Sequence, residues 1–146
     1  MSSCLVDTNV LLRIAEVESP MHPAALDAIF VLKSQGIRLC IVSQNLVEFW
    51  VAATRPISSN GLGLSANQAI QEMQKLKILF LLNDDRPEVF STWEQLIQRY
   101  QVMGKQAHDT RLVAAMLVHE ISQILTFNVQ DFQRFTEITV INPSSL

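Results

Sequence analysis

Five short apolar runs alternate along this chain with longer segments that have the spacing of helices. The runs contain mostly Ile, Leu and Val with few polar residues between them, a pattern typical of strands buried on both faces of a sheet. They cover residues 4–6, 39–42, 78–82, 124–126 and 138–141. Strands separated by helices in this way predict an α/β fold, a three-layer α/β/α sandwich with a largely parallel central sheet.

Proline, glycine and serine residues mark where the intervening helices should begin and end. Proline suits a first helical turn and glycine a C-terminal cap, so a helix that opens near Pro23 should close at Gly36. Ser65 followed three residues later by Gln68 matches a capping box. The predicted helices cover about residues 20–36, 43–54, 65–77, 87–104 and 108–120. Because 146 residues suffice for one core of this kind, residues 1–146 are predicted to form a single domain.

The charge balance narrows the functions open to such a domain. Eleven basic and fourteen acidic residues give a net charge of -3. This balance argues against a protein that holds nucleic acid through diffuse positive charge. It does not exclude an enzyme that holds a phosphate through a metal ion and a few arginines.

Cysteine use and hydropathy indicate the compartment. Cys4 and Cys40 both fall in apolar runs, so we expect buried free thiols rather than a disulfide. The N-terminus reaches an acidic residue too early for a signal peptide. The longest apolar run, residues 112–118, is too short to cross a membrane. We therefore expect a cytoplasmic protein with no membrane segment.

Acidic residues from separate segments are expected to meet at one edge of the sheet. Asp7 directly follows the first predicted strand, Glu48 lies in the helix after the second, and Asp109 opens the last long helix. Asn128 and Asp131 follow the fourth strand. The carboxyl ends of parallel strands share one edge, where ligands bind, so these side chains should converge there.

Each acidic residue also has a purely structural interpretation. Asp7 and Asp109 could each cap the helix that they precede or open. Asp84 and Asp85 precede a proline, and a turn explains them. Glu48 has mostly apolar neighbours and lies too deep in its helix to be a cap, so its charge should be paired or bound to a cation. Carboxylates without a Cys–His cluster suit a hard cation such as Mg²⁺ or Mn²⁺.

Four segments together resemble the motifs of one known family. They are LVDTNVLL at residues 5–12, SQNLVEF at 43–49, HDTRLVAA at 108–115 and LTFNVQDF at 125–132. In this order and spacing they resemble a PIN domain, the metal-dependent nuclease fold of VapC-type toxins in bacterial toxin–antitoxin pairs. The resemblance spans nearly the whole chain. It implies a PIN-like nuclease domain that hydrolyses RNA phosphodiester bonds.

The resemblance also implies roles for individual residues. Asp7, Glu48, Asp109 and Asp131 would hold Mg²⁺ or Mn²⁺, directly or through waters, and the first three would take part in catalysis. Glu48 is our candidate for orienting or deprotonating the attacking water. Supporting or water-binding roles fall to Thr8, Asn9 and Asn128. Candidates for contacting RNA phosphates are Arg13, Arg55, Lys105 and Arg111. Similar toxins are held inactive by a cognate antitoxin and commonly form homodimers, so both partners are expected.

One departure from the family pattern and a second interpretation of Asp7 point to other functions. Many PIN domains carry an acid where this chain has Asn128, so one negative charge is missing from the site. This difference favours, as an alternative function, a catalytically impaired PIN-fold module that binds proteins. An aspartate-nucleophile phosphatase would also place an aspartate after its first strand. Such enzymes usually need a second acid two residues later, where this chain has Asn9.

Overall fold

A five-stranded parallel sheet forms the centre of the computed structural model, which describes residues 2–146. The strands are β1 (Ser3–Val6), β2 (Arg38–Val42), β3 (Leu81–Asn83), β4 (Gln123–Leu125) and β5 (Thr139–Ile141). Their order across the sheet is β3-β2-β1-β4-β5, and each neighbouring pair is parallel. The predicted largely parallel sheet is confirmed.

Six α-helices cover the two faces of the sheet. They are α1 (Thr8–Ala15), α2 (His22–Ser34), α3 (Ser43–Thr54), α4 (Ala66–Leu79), α5 (Glu88–Tyr100) and α6 (Gln106–Val118). Short 3-10 turns lie at Ile57–Ser59, Val129–Asp131 and Pro143–Ser145. Buried residues of α1 to α4 form one core with one face of the sheet, and those of α5 and α6 form a second core with the other. The fold is therefore the predicted three-layer α/β/α sandwich.

The two cysteines lie in different cores. Cys4 on β1 belongs to the core under α1 to α4, whereas Cys40 on β2 belongs to the core under α5 and α6. Both are buried free thiols, as predicted. Burial raises the pKa of the Cys4 thiol to about 12, so this thiol stays protonated and unreactive at neutral pH.

Two helix ends follow the predicted local chemistry. At the end of α2, Gly36 adopts a φ of 77°. Its N–H donates to the carbonyl of Lys33 and the next N–H, of Ile37, to that of Leu32, which is the Schellman pattern. At the start of α4, Ser65 Oγ accepts from the Gln68 N–H at 3.1 Å and Gln68 Oε1 accepts from the Ser65 N–H at 2.9 Å. The capping box is confirmed.

Three predicted boundaries were wrong. The run at 78–82 is not one strand: α4 continues to Leu79, and the 85% exposed Ile78 lies on its outer surface. The helix predicted at residues 87–104 is α5, and it ends at Tyr100 because Gln101 adopts a left-handed φ of 50°. The last long helix begins at Gln106, before the predicted start, so Asp109 lies inside its first turn. No helix within residues 2–146 is long and apolar enough to cross a membrane.

Candidate functional site

The site lies where the direction of strand addition reverses. The chain adds strands outward from β1 to β2 and β3, then returns to the other side of β1 with β4 and β5. In open α/β sheets the crevice at the carboxyl ends of the two central strands is the usual ligand site. Asp7 directly follows β1 and Thr126 directly follows β4, and both side chains are buried.

Asp7 has its two carboxylate oxygens held by different parts of the chain. Oδ1 accepts from the Thr8 N–H at 2.8 Å, so Asp7 caps α1 and the capping interpretation is correct. Oδ2 accepts from Thr126 Oγ1 at 2.7 Å and from Asn9 Nδ2 at 3.3 Å. The residue is only 6% exposed, and no Lys, Arg or His in the described chain forms an ion pair with it. A cap alone does not require a carboxylate to be buried without a counter-charge.

Glu48 is also held by neutral donors rather than by a cation. Thr8 Oγ1 donates to its Oε1 at 2.9 Å, and Gln44 Nε2 donates to its Oε2 at 2.9 Å. The same Gln44 nitrogen donates to the His108 carbonyl at 2.8 Å, while Gln44 Oε1 accepts from Arg111 Nη1 at 2.9 Å. These bonds bring the first turns of α3 and α6 together and fix the orientation of the Gln44 amide.

Asp109 lies in the first turn of α6 and does not cap it. The N-cap position is Lys105, and Asp109 is partly buried. Burial, together with the negative charges of Asp7, Asp131 and Glu48, raises the pKa of Asp109 to about 7. Burial likewise raises the pKa of Asp7 to about 6, although the bond from Thr126 opposes the rise. The negative charges of Glu48 and Asp131 therefore act on both Asp7 and Asp109.

The residues present fit a hard divalent cation. The side chains that meet at this edge offer oxygen ligands and carry negative charge, which Mg²⁺ and Mn²⁺ prefer. Within residues 2–146, no three His, Cys, Asp or Glu side chains are gathered tightly enough to surround an ion. Mg²⁺ usually keeps several waters and takes only one or two carboxylates directly, so it does not require three protein ligands.

Comparison with solved structures identifies the fold. The VapBC2 complex of Rickettsia felis bound to a promoter DNA fragment matches with a TM-score of 0.69 at 13% identity, over 96% of this chain and 98% of that one. VapBC-1 of nontypeable Haemophilus influenzae matches with a TM-score of 0.68 at 17% identity, over 97% and 98%. VapC20 of Mycobacterium tuberculosis, a sarcin-ricin loop cleaving toxin, matches with a TM-score of 0.65 at 14% identity. The match covers 90% of this chain and 95% of VapC20.

The chain has the PIN-domain fold. The resemblance read from the four sequence segments is thus confirmed at the level of the fold. No family model matches the sequence, and the comparison with curated proteins found no match.

The four basic candidates lie in different places on the PIN-domain fold. Arg111 lines a groove with Gln44, Glu48 and His108 beside the carboxylates. Arg13 pairs with Glu16 at 2.8 Å. Both Arg13 and Arg55 line a separate groove between α1 and α3. Lys105 is exposed at the start of α6. Of the four, Arg111 is the one that the described contacts connect to the site.

The remaining predicted side chains surround the same crevice. Asn9 contacts both Asp7 and Thr126, and its Oδ1 accepts from the Phe127 N–H at 3.2 Å. Asn128 is exposed, and its N–H donates to Thr126 Oγ1 at 3.0 Å. Asp131 ends the 3-10 turn after β4 and is partly buried.

Three polar residues that organise the site were missed by the sequence analysis. Thr126 holds Asp7, Gln44 holds Glu48, and Asn45 joins α3 to its neighbours. Asn45 is fully buried, accepts from the Val42 N–H at 2.9 Å and donates to Thr8 Oγ1 at 3.4 Å. A detectable signal was present, since Thr126 ends one apolar strand run and Gln44 and Asn45 lie two and three residues after another.

Asp85 was interpreted as a turn residue, and its side chain accepts a hydrogen bond from Ser43 Oγ at the start of α3. It is exposed, and the burial and charge that raise the pKa of Asp7 and Asp109 do not involve it. It therefore ties the start of α3 to the segment between β3 and α5 without joining the group of four carboxylates.

The raised pKa values predict an unusual dependence of stability on pH. In EDTA, the folded protein takes up a proton at Asp109 as the pH falls through about 7 and at Asp7 as it falls through about 6. The unfolded chain takes up both protons near pH 3.8. The free energy of unfolding should therefore increase from pH 8 to pH 5 and lose this contribution again as the pH rises. Because Asp109 is partly exposed and water screens its charge, we expect about 2 kcal/mol, or roughly 4–8 °C in Tm.

Thermal denaturation in EDTA across this pH range measures the effect. The variant Asp109→Asn should show a flatter profile and a higher Tm at pH 8, because it removes one of the repelling charges. A wild-type Tm that is constant or increases from pH 5 to pH 8 would contradict the assignment of these two pKa values.

Proposed function

We propose that the protein is a Mg²⁺- or Mn²⁺-dependent endoribonuclease and the toxin of a toxin–antitoxin pair. The observation that carries the proposal is the buried Asp7 carboxylate, which has no cationic partner in residues 2–146 and lies near Asp109 at the switch point of the sheet. A divalent cation would supply the missing counter-charge. The fold adds support because it is shared with VapC20, which is described as cleaving the sarcin-ricin loop.

The contacts suggest how each residue would act. Asp7 and Asp109 would hold the ion, with Asp131 reaching it directly or through water. When bound, the ion supplies charge to balance the phosphodiester and makes an attacking water more acidic. The hydrogen bonds from Thr8 N–H and Thr126 Oγ1 fix Asp7 in one orientation before the ion arrives.

Glu48 is the proposed general base. Thr8 and Gln44 donate to its two oxygens and leave further lone pairs for a water molecule. As the water oxygen bonds to phosphorus, Glu48 would accept the proton of the water, the phosphorus–oxygen bond to the leaving ribose would break, and solvent would protonate the released oxygen. Arg111, which donates to Gln44 and lines the same groove, would contact a neighbouring phosphate.

Cleavage of RNA in the presence and absence of the ion tests the proposal. We expect purified protein to cut labelled single-stranded RNA internally with Mg²⁺ or Mn²⁺ and to stop when EDTA is added. The same ions should raise the Tm at pH 8, because they relieve the repulsion among the carboxylates. If the RNA stays intact both with Mg²⁺ and with Mn²⁺, the nuclease proposal is wrong.

A protein-binding module without catalysis is the second candidate. It is favoured by Asn128, which is exposed at the end of β4 and brings no charge to the site. This alternative predicts no change in Tm with either ion, together with stable binding of a partner protein. A clear metal-induced rise in Tm would therefore argue against it.

The partners and compartment follow from the toxin proposal. Similar folds occur in VapBC complexes, and two of those structures also contain DNA, so we propose a cognate antitoxin that blocks the carboxylate crevice until it is removed. We also propose a homodimer in solution and a cytoplasmic location. Co-expression with a small gene upstream and size-exclusion chromatography of the products test both partners.

A further inference from the structure

A polar cavity of about 340 Å³ opens at the carboxyl ends of β4 and β5, beside the candidate metal centre. Its lining residues are Phe127, Asn128, Val129, Gln130, Asp131 and Asn142. Asp131 belongs both to this cavity and to the group of carboxylates, so the cavity borders the place where a scissile phosphate would lie. The roles assigned above do not use its other polar side chains, apart from Asn128.

The chemistry of the lining excludes a phosphate as the natural occupant. No lysine or arginine lines the cavity, and the Asp131 carboxylate would repel an anion. The other polar side chains are amides, which are neutral and offer both donors and acceptors. Phe127 adds an apolar surface, since it is partly buried and packs on the core under α1 to α4.

The amides are available to a ligand. Within residues 2–146 the side chains of Asn128 and Gln130 make no hydrogen bond and are exposed. Asn142 accepts from the Ser144 N–H through Oδ1 at 2.9 Å, which leaves its Nδ2 as a donor. Asn and Gln side chains read bases by pairing a donor and an acceptor with the base edge, and RNA-binding proteins select unstacked bases in this way.

We propose that this cavity binds the unpaired nucleobase next to the scissile phosphate and sets the sequence preference of cleavage. Gln130 and Asn142 contact the edge of the base, and Phe127 supplies an apolar surface beside it. The proposal rests on the ribonuclease function above and adds to it a site for one base of the substrate. Gln130 is the specificity-determining residue that is easiest to test, because its side chain has no other partner in the described chain.

The experiment compares two glutamines of the same segment. Gln130 lines the cavity, whereas Gln133, three residues later, is exposed outside it. Cleavage of a randomised RNA pool is followed by sequencing of the new ends for wild type, Gln130→Ala and Gln133→Ala at equal turnover. We expect the wild type to prefer one base at a nucleotide beside the cut. In Gln130→Ala the ratio of cleavage at the preferred base to cleavage at the others should fall by about tenfold. In Gln133→Ala this ratio should not change.

Each result bears on the cavity or on the function separately. If the wild type cuts RNA but Gln130→Ala keeps the full preference, the base site is wrong and the ribonuclease stands. If Gln130→Ala weakens binding of a co-expressed protein partner and leaves the preference intact, the cavity binds a peptide instead, and the proposal is overturned. A wild type that cuts without any base preference also overturns it.

Binding without cleavage provides a second test. The ¹⁵N side-chain amide signal of Gln130 is followed by NMR while nucleoside 5′-monophosphates are added, with ribose 5-phosphate as the control that lacks a base. We expect a shift with at least one nucleotide and none with the control. Equal shifts with the control, or none with any nucleotide, would contradict a base site even if the protein proves to cut no RNA.

Discussion

Replacing Asp7 by asparagine should lower kcat/KM for RNA cleavage by about 10²–10³-fold. The substitution removes the charge that lies deepest in the crevice while keeping an oxygen that can accept from the Thr8 N–H and cap α1. The new Nδ2 finds no free acceptor at Thr126 Oγ1, which already accepts from Asn9 Nδ2 and from the Asn128 N–H, so we expect some loss of stability in this variant. Initial rates on a labelled RNA at several Mg²⁺ concentrations measure the effect.

Asp84→Asn is the matched control for this experiment. Asp84 is an exposed acid in the segment between β3 and α5, so its replacement should leave kcat/KM within about twofold of wild type. Equal rates for Asp7→Asn and wild type would remove Asp7 from the mechanism. A loss of folding in Asp7→Asn, seen by circular dichroism, would instead show that the bonds of Asp7 Oδ2 with Thr126 and Asn9 hold the fold, because asparagine keeps the cap of α1.

Replacing Glu48 by glutamine should reduce the cleavage rate by about 10²–10⁴-fold, the range for removal of a general base. The glutamine carries an amide nitrogen in place of one Glu48 oxygen, so an N–H donor would face either the Thr8 hydroxyl or the Gln44 amide, each of which donates to Glu48 in the wild type. Gln44 cannot turn to relieve this conflict, because the His108 carbonyl and Arg111 fix its orientation. The metal-induced rise in Tm should be largely retained, because Asp7 and Asp109 remain.

Glu94→Gln serves as the control, since Glu94 is exposed on α5 and forms no ion pair within the described residues. A Glu48→Gln protein that loses both cleavage and the metal-induced shift would identify Glu48 as a ligand rather than a base. Cleavage at the wild-type rate would contradict both roles.

The sheet was predictable because each strand is marked by a short apolar run in its own segment of the sequence. Most residues of these strands are apolar, and the apolar runs located four of the five strands to within one residue, although each of the four begins at a polar residue. The run at 78–82 misled because Ile78 and Leu79 are apolar residues on the exposed end of a helix. The hydrophobicity of a segment does not show which of its apolar residues other elements bury, so the boundary between α4 and β3 could not be predicted from the sequence.

The acidic residues of the site were predictable for a topological reason. Asp7 follows a strand, and the carboxyl ends of parallel strands lie at one edge whatever their order. The hydrogen bonds that hold the acids were not predictable, because the bond from Thr126 to Asp7 spans 119 residues and the one from Thr8 to Glu48 spans 40. Such pairs depend on the strand order, which places β4 next to β1.

The adjacency of β1 and β4 also sets when the site can form during synthesis. A nascent chain that has passed through α1 to α6 already contains Asp7, Glu48 and Asp109, but it lacks β4 and Thr126, which complete the crevice. Until residues 123–126 leave the ribosome, the free edge of β1 has no strand beside it and Asp7 has no bond from a threonine hydroxyl. A ribonuclease made in this order would complete its crevice only after its fourth strand had been synthesised beside the RNAs of the translation machinery.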